Sequence, residues 1–181
     1  AHLGGMLATG LVDVTADLSA LDADGWWAVV LPYDAAPVLA RFADVRPAPA
    51  PTGRWNGPSR DAWTSSMSEQ EYVDGVEHVR ARIAAGDVYQ ANVCRVLTAP
   101  VPDEAAADVA GLARLIASGN PAPYAGFVRL PHGSHPGVPD GGVAVATASP
   151  ELFLRRTGDV VESGPIKGTG RTVDDLTPKD S

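Results

Sequence analysis

The sequence predicts an α+β protein in which antiparallel strands form the sheets and helices lie outside them. Short strand-like segments follow one another as hairpins, and two stretches with helical spacing separate them. The chain has 181 residues, 45% of them hydrophobic and 20% charged, which is an ordinary globular composition with enough length for a core.

The clearest helical signal begins at Ser68, which can form a capping box with Glu71. The apolar residues that repeat behind this cap at helical spacing are Tyr72, Val76, Val79 and Ile83. Gly86 is a typical C-terminal stop. We expect a strand over residues 88–97 and a second helix over residues 103–117 to follow.

Strands are then predicted at residues 124–130 and 143–147, and a hairpin at residues 152–163. The hairpin turns at Gly158, which can adopt a positive φ. Folding about this glycine brings residues 149–151 opposite residues 165–167. One end of a sheet then carries a carboxylate, an amine and a Gly-Thr backbone, and neighbouring acid and amine groups can shift each other's proton affinity.

The composition limits the possible partners and the cellular location of the protein. The net charge of −8 disfavours a nucleic-acid surface, because phosphates would be repelled. No stretch approaches the roughly 20 apolar residues that span a bilayer. A single cysteine, Cys94, cannot form an internal disulfide and fits a reducing cytoplasm, so we expect a cytoplasmic protein.

Four segments carry a family resemblance. They are Ala148-Ser-Pro-Glu-Leu-Phe-Leu154, Pro165-Ile-Lys-Gly-Thr169, Ile83-Ala-Ala-Gly-Asp-Val-Tyr-Gln-Ala-Asn92 and Asn120-Pro-Ala-Pro-Tyr124. In their order and spacing they resemble chorismate-utilising enzymes, the family of the component I (large) subunits of aminodeoxychorismate synthase and anthranilate synthase. The resemblance implies a sandwich of two antiparallel sheets with outer helices. It also implies that this chain is an N-terminal portion of that fold, which leaves the sandwich incomplete.

The expected organisation has two parts. Residues 1–66 form a strand-rich segment followed by a Pro-rich loop, and residues 67–181 form the first part of a chorismate-binding domain whose C-terminal half is missing. A sheet without its partner strands exposes edges and apolar surface, so we expect residues 1–181 alone to be unstable or to aggregate.

The resemblance assigns roles to two catalytic residues. It makes Lys167 a nucleophile that attacks C2 of the chorismate ring, which requires a neutral amine, and it places Glu151 near the departing C4 hydroxyl as a general acid or positioning group. On residue chemistry alone, a solvated lysine at a strand end is the favoured interpretation of Lys167, since lysines are mostly exposed. Glu151 is equally a surface acid, or a partner for Arg155 or Arg171.

Three further residues are expected to bind substrate. By the resemblance, Gly168 and Thr169 hold a substrate carboxylate through N–H and hydroxyl donors. Gln90 occupies the place where water-using relatives typically carry a lysine base. A neutral amide cannot remove a proton at neutral pH, so an ammonia-using reaction fits better. The alternatives are a simple Gly-Thr turn and a satisfied polar residue in a strand.

The implied reaction is amination of chorismate at C4 to 4-amino-4-deoxychorismate, for p-aminobenzoate and folate synthesis. Its implied partners are chorismate, a glutamine amidotransferase subunit that supplies ammonia, and the C-terminal half of the same enzyme. Mg²⁺ is the implied cofactor, with ligands mostly outside this fragment. Alternatives are an anthranilate synthase, an antibiotic-pathway enzyme making an aminodeoxy compound, and a non-catalytic remnant that binds a small anion or a partner subunit.

Overall fold

The structure is a computed structural model that describes residues 1–101 and 108–166. In chain order, its elements are β1 (His2–Leu3), β2 (Met6–Thr15), β3 (Trp26–Val30), β4 (Val38–Pro47), β5 (Thr64–Ser65), α1 (Glu69–Ala85), β6 (Leu97–Thr98), α2 (Val109–Gly119), β7 (Tyr124–Leu130), β8 (Val143–Ser149), β9 (Leu152–Thr157) and β10 (Val160–Gly164). No helix in this part of the chain combines the length and apolar character needed to cross a membrane.

A six-stranded antiparallel sheet is the largest element of the described residues, with strand order β3-β4-β2-β1-β7-β8. The short β1 joins its two halves, since His2 pairs with Leu7 on one side and with Phe127 on the other. Two smaller sheets pair β9 with β10 and β5 with β6. The predicted α+β class with antiparallel sheets is confirmed, and β7 spans the residues expected for it.

The main core lies against the six-stranded sheet. Leu130 and Leu39 are its largest fully buried side chains. The loop between β7 and β8 contributes Val138, which is buried in the same cluster as Phe42. Gly137 makes this possible, because a Cβ there would collide with the carbonyl oxygen of Val14. The loop is therefore packed against β2 as well as connecting two strands.

Helix α1 begins and ends as predicted. The backbone N–H of Ser68 donates to Glu71 Oε2 at 2.7 Å, and the N–H of Glu71 donates back to Ser68 Oγ at 3.2 Å, which completes the capping box. Gly86 closes the helix with φ 81°, and its N–H reaches the carbonyl of Arg82. Since no residue of α1 is buried, local capping carries more of its stability than core packing does.

The strand predicted over residues 88–97 is wrong. In the described chain, only Leu97 and Thr98 of this segment form a strand, paired with β5, and residues 88–96 have no strand assignment. At Val96, the backbone bonds to Ser66 instead. The N–H of Ser66 donates to the Val96 carbonyl at 2.8 Å, and the N–H of Val96 donates to Ser66 Oγ at 3.0 Å. β-Prone residues form a ladder only where a second strand is available.

The chain divides into two compact units. The first contains Ala1–Trp55 and Asp108–Ser181 and holds the six-stranded sheet with α2, while the second is Asn56–Ala107 and holds α1, β5 and β6. Helix α2 begins after the N-cap Asp108, whose carboxylate accepts from Ala110 N–H at 3.0 Å. The domain boundary expected between residues 66 and 67 stays a prediction.

The capping box generates a stability prediction. We expect Ser68→Ala to destabilise α1 by about 1 kcal/mol, because it removes the acceptor for Glu71 N–H. Ser118→Ala in α2 is the matched control, since that hydroxyl bonds only the Leu115 carbonyl of its own helix at 2.7 Å. Amide hydrogen exchange of the two helices measures both effects. An unchanged α1 in Ser68→Ala would contradict the role of the cap.

The same box predicts a pH dependence. Hydrogen bonds from the backbone N–H and hydroxyl of Ser68 hold the pKa of Glu71 below its ordinary value of 4.5. A lowered folded-state pKa stabilises the helix at pH values above that ordinary value and loses the effect as pH falls through the folded pKa. We therefore expect the protection of α1 amides to fall in acid more steeply in the wild type than in Glu71→Gln. Parallel profiles would contradict this.

Candidate active site

The predicted hairpin is confirmed as β9 and β10. Gly158 turns it with φ 60°, and Arg156 Nε donates to the Gly158 carbonyl at 2.8 Å, which braces the turn. Opposite strands pair Arg155 with Glu162, whose charged groups lie 3.8 Å apart. Both side chains are about half exposed, so this ion pair adds little stability. The turn glycine and the strand register therefore set the hairpin.

Glu151 lies at the corner between β8 and β9. Ser149 shapes this corner: its hydroxyl donates to the Glu151 carbonyl at 2.9 Å, and it accepts from the Glu151 N–H at 3.4 Å. The Glu151 side chain is exposed. Arg155, one alternative partner for it, forms its ion pair with Glu162 instead. The corner thus presents a carboxylate to solvent at the open end of the hairpin.

The expected nucleophile, Lys167, follows β10 in the sequence, three residues after its last residue, Gly164. Leu152 pairs with Gly164 after a register shift, and Pro165 has no N–H to continue the ladder. This pairing is consistent with the prediction that residues 149–151 lie opposite residues 165–167. Lys167, Gly168 and Thr169 lie outside the described residues, so their placement and roles stay predictions.

The turn after α1 determines where Gln90 lies. Asp87 acts on the last turn of the helix, with its carboxylate 2.8 Å from the Arg82 guanidinium and its N–H donating to the Arg82 carbonyl at 3.0 Å. The chain then leaves the helix through the residues without strand pairing. Gln90 lies four residues after Gly86 and is exposed. Its strand setting was predicted wrongly, and its substrate-binding role stays a prediction.

A groove of about 310 Å³ adjoins this segment, between one face of α1 and the residues after Gln90. Its lining residues are Tyr72, Val76, Val79, Arg80, Ala91, Asn92 and Val93. Arg80 is already 2.8 Å from Glu77 on the same helix, and both side chains are largely exposed. Glu151 and Gln90, the two expected site residues that the structure describes, do not line this groove.

The fourth resembling segment, residues 120–124, has a local structural role. Asn120 ends α2, and its N–H donates to the Ile116 carbonyl at 2.8 Å. The following residues turn into β7, with Ala125 N–H bonded to the Ala122 carbonyl at 3.2 Å. The segment therefore connects the second helix to the sheet.

The described residues do not form a set of ligands for the expected magnesium ion. Residues 1–101 and 108–166 contain no group of three or more His, Cys, Asp or Glu side chains placed to hold a metal ion. Mg²⁺ requires several oxygen ligands in near-octahedral geometry, and an isolated carboxylate such as Glu151 does not supply them. These residues by themselves do not fit a magnesium site.

Comparison with known proteins identifies the family. Residues 29–177 match the family model described as chorismate binding enzyme. The chain belongs to this family. The four resembling segments predicted membership of this family, and that prediction is confirmed. No solved structure matches the chain.

Curated relatives carry two different names. An anthranilate synthase component 1 of Haloarcula marismortui is 36% identical over 105 residues, which are 58% of this chain and 19% of that protein. Another, of Streptomyces coelicolor, is 33% identical over 134 residues, 74% of this chain and 23% of that protein. The aminodeoxychorismate synthase component 1 of Klebsiella aerogenes is 34% identical over 109 residues, 60% of this chain and 21% of that protein.

The chain spans about a fifth of the length of these relatives. Their identities to this chain are similar, and their names divide between two reactions. Similarity therefore assigns the family without choosing the product.

The hairpin that carries this candidate site gives a testable expectation. We expect Gly158→Ala to destabilise β9–β10 pairing by about 1–2 kcal/mol, because φ 60° is unfavourable for a residue with a Cβ. Gly158→Asn is the control, since asparagine tolerates this conformation better. Amide exchange of the ladder should accelerate roughly five- to thirtyfold in the alanine variant. Equal exchange in all three proteins would show that the turn does not limit the hairpin.

Proposed function

We propose that this chain is part of an enzyme that aminates chorismate at C4 to give 4-amino-4-deoxychorismate. The observation that carries the proposal is Lys167 within Pro165-Ile-Lys-Gly-Thr169, at a position where anthranilate synthases typically carry alanine. The confirmed hairpin supports it, because its register directs residues 165 and 166 back toward the corner that holds Glu151. An amine and a carboxyl at one end of a sheet suit substitution of a hydroxyl by an amine.

In the proposed reaction, the neutral Lys167 amine forms a bond to C2 of the ring as the C4 hydroxyl departs and both ring double bonds shift. Glu151 gives a proton to that hydroxyl, which leaves as water, and the amine loses a proton. Ammonia then bonds to C4 and both double bonds shift back, which breaks the bond from C2 to Lys167. The added nitrogen loses a proton and the departing lysine nitrogen gains one. Each addition expels one group, so the ring keeps its oxidation state.

The remaining proposed contacts position the substrate. Gly168 has no side chain and leaves backbone N–H groups open to a ring carboxylate, with the Thr169 hydroxyl as a further donor. Gln90 can donate and accept hydrogen bonds without acting as a base, so it favours ammonia over activated water as the nucleophile. Ammonia would come from a glutamine amidotransferase subunit. Any Mg²⁺ would bind with ligands from polypeptide other than the described residues, such as the C-terminal half of the enzyme.

Three alternatives to this proposal are open to test. The anthranilate synthase relatives favour amination at C2 followed by loss of pyruvate, and an antibiotic-pathway enzyme would share the aminodeoxy product. An alternative of another class is a non-catalytic remnant that binds a small anion or a partner subunit. Product analysis separates all of these. We also propose a cytoplasmic location, consistent with the single cysteine.

The nucleophile assignment is tested in the full-length protein with chorismate, ammonium and Mg²⁺. We expect Lys167→Ala to abolish 4-amino-4-deoxychorismate formation or to divert the reaction to another product. The chain has one other lysine, so Lys179→Ala is the matched control and should retain both product and rate. Unchanged product and rate in Lys167→Ala would remove the nucleophile. Anthranilate from the wild type would favour the first alternative, and no turnover by the wild type would favour the remnant.

The acid assignment is tested on the same hairpin. Glu151→Gln should lower kcat by about 10²–10⁴-fold if the carboxyl protonates the leaving hydroxyl. Glu162→Gln is the matched control, because Glu162 is half exposed and makes only the long ion pair with Arg155. It should leave kcat within about twofold. A Glu151→Gln effect confined to KM would make this residue a binding group rather than an acid.

A further inference from the structure

The two chain connections of the second unit meet at one point of the first. That unit occupies Asn56–Ala107, so the chain leaves the first unit after Trp55 and rejoins it at Asp108. The N–H of Asp108 donates to the Arg54 carbonyl at 3.3 Å. The residues that flank the second unit are thus hydrogen-bonded to each other within the first.

Two glycines allow the backbones to cross at this point. A Cβ on Gly111, in the first turn of α2, would lie 2.7 Å from Arg54 C and from Trp55 N. A Cβ on Gly53 would lie 2.6 Å from Gly111 N and 2.5 Å from Asp108 Oδ2. Because backbone atoms cannot move aside as a flexible side chain can, the crossing requires glycine on both sides. We call these residues, 53–55 and 108–111, the clamp.

Burial changes abruptly at the clamp. Val109, Ala110 and Gly111 are buried, and the first two pack with Phe127 of β7 in one cluster. Among residues 56–101, by contrast, none is buried, including all 17 residues of α1. Segments with little buried apolar surface open at low free energy, and those in a core open only with the whole fold.

We infer that residues 56–107 form a separate unfolding unit and that the clamp is the boundary at which its opening stops. Opening of α1 exposes little additional apolar surface, whereas opening of the clamp would also uncover Val109 and Ala110. The fold can therefore rearrange α1 and the segment after it while the six-stranded sheet and α2 remain intact. This inference does not depend on the proposed reaction.

Native-state hydrogen exchange on the unaltered full chain tests the inference first. Relative to intrinsic rates, α1 amides should exchange at least about tenfold faster than the β4 amides paired with β2. The Asp108 amide, bonded to Arg54, should have the slow exchange of β4 rather than the rate of α1. A difference between α1 and β4 of less than about tenfold would overturn the separate unit. An Asp108 amide as fast as α1 would overturn the clamp.

Two glycine variants in the same helix test the clamp directly. Gly111→Ala should accelerate exchange of α2 amides at least about tenfold, because its Cβ collides with the backbone of residues 54 and 55. Gly119→Ala is the matched control: a Cβ there meets nothing within 4 Å, and alanine favours helix, so exchange should stay the same or slow. Acceleration in Gly111→Ala no greater than in Gly119→Ala would overturn the clamp. If Gly111→Ala does not fold, the Asp108 amide of the unaltered chain decides.

Discussion

The hydrogen-bonded continuity of the six-stranded sheet depends on β1, which is only two residues long. His2 and Leu3 pair with β2 on one side and with β7 on the other, and no other strand in the described chain joins β2–β4–β3 to β7–β8. The contact is close: a Cβ on Gly126 would lie 2.5 Å from the His2 carbonyl oxygen. The ring of His2 also stacks on Phe127 at 6.2 Å between centroids. Glu151 follows β8, so this junction also fixes where its corner lies relative to the rest of the sheet.

Local signals in the sequence predict local structure well here. The capping box of α1 involves residues three apart, and the turn at Gly158 involves adjacent residues, so each is fully encoded within a short segment. Both elements form where expected. The pairing of β1 with β7 joins residues more than 120 positions apart, and no pattern near His2 identifies that partner. Loop closure over such a distance depends on the assembled core rather than on local preference.

The failed strand over residues 88–97 shows the limit of composition. Val88, Val93 and Val96 favour extended backbone, yet a strand also needs a neighbour to accept its hydrogen bonds. Nothing in these residues indicates whether that neighbour is present. In the described chain, pairing begins only at Leu97, opposite Ser65. Prediction of Gln90 as a residue in a strand failed for this reason, although its chemistry as a neutral amide does not depend on the backbone around it.

In the candidate site, too, short sequence segments predict the local turns but not the surroundings of the side chains. The hairpin and the Ser149 turn are predictable, and they carry Glu151 to an exposed corner. An exposed carboxyl keeps its hydration shell, whereas chemical steps in enzymes usually take place in sites from which water is excluded. If Glu151 is a general acid, substrate or further polypeptide has to exclude water from this corner during the reaction. Groups that exclude water from the corner would therefore complete a site whose carboxylate the local sequence has already placed.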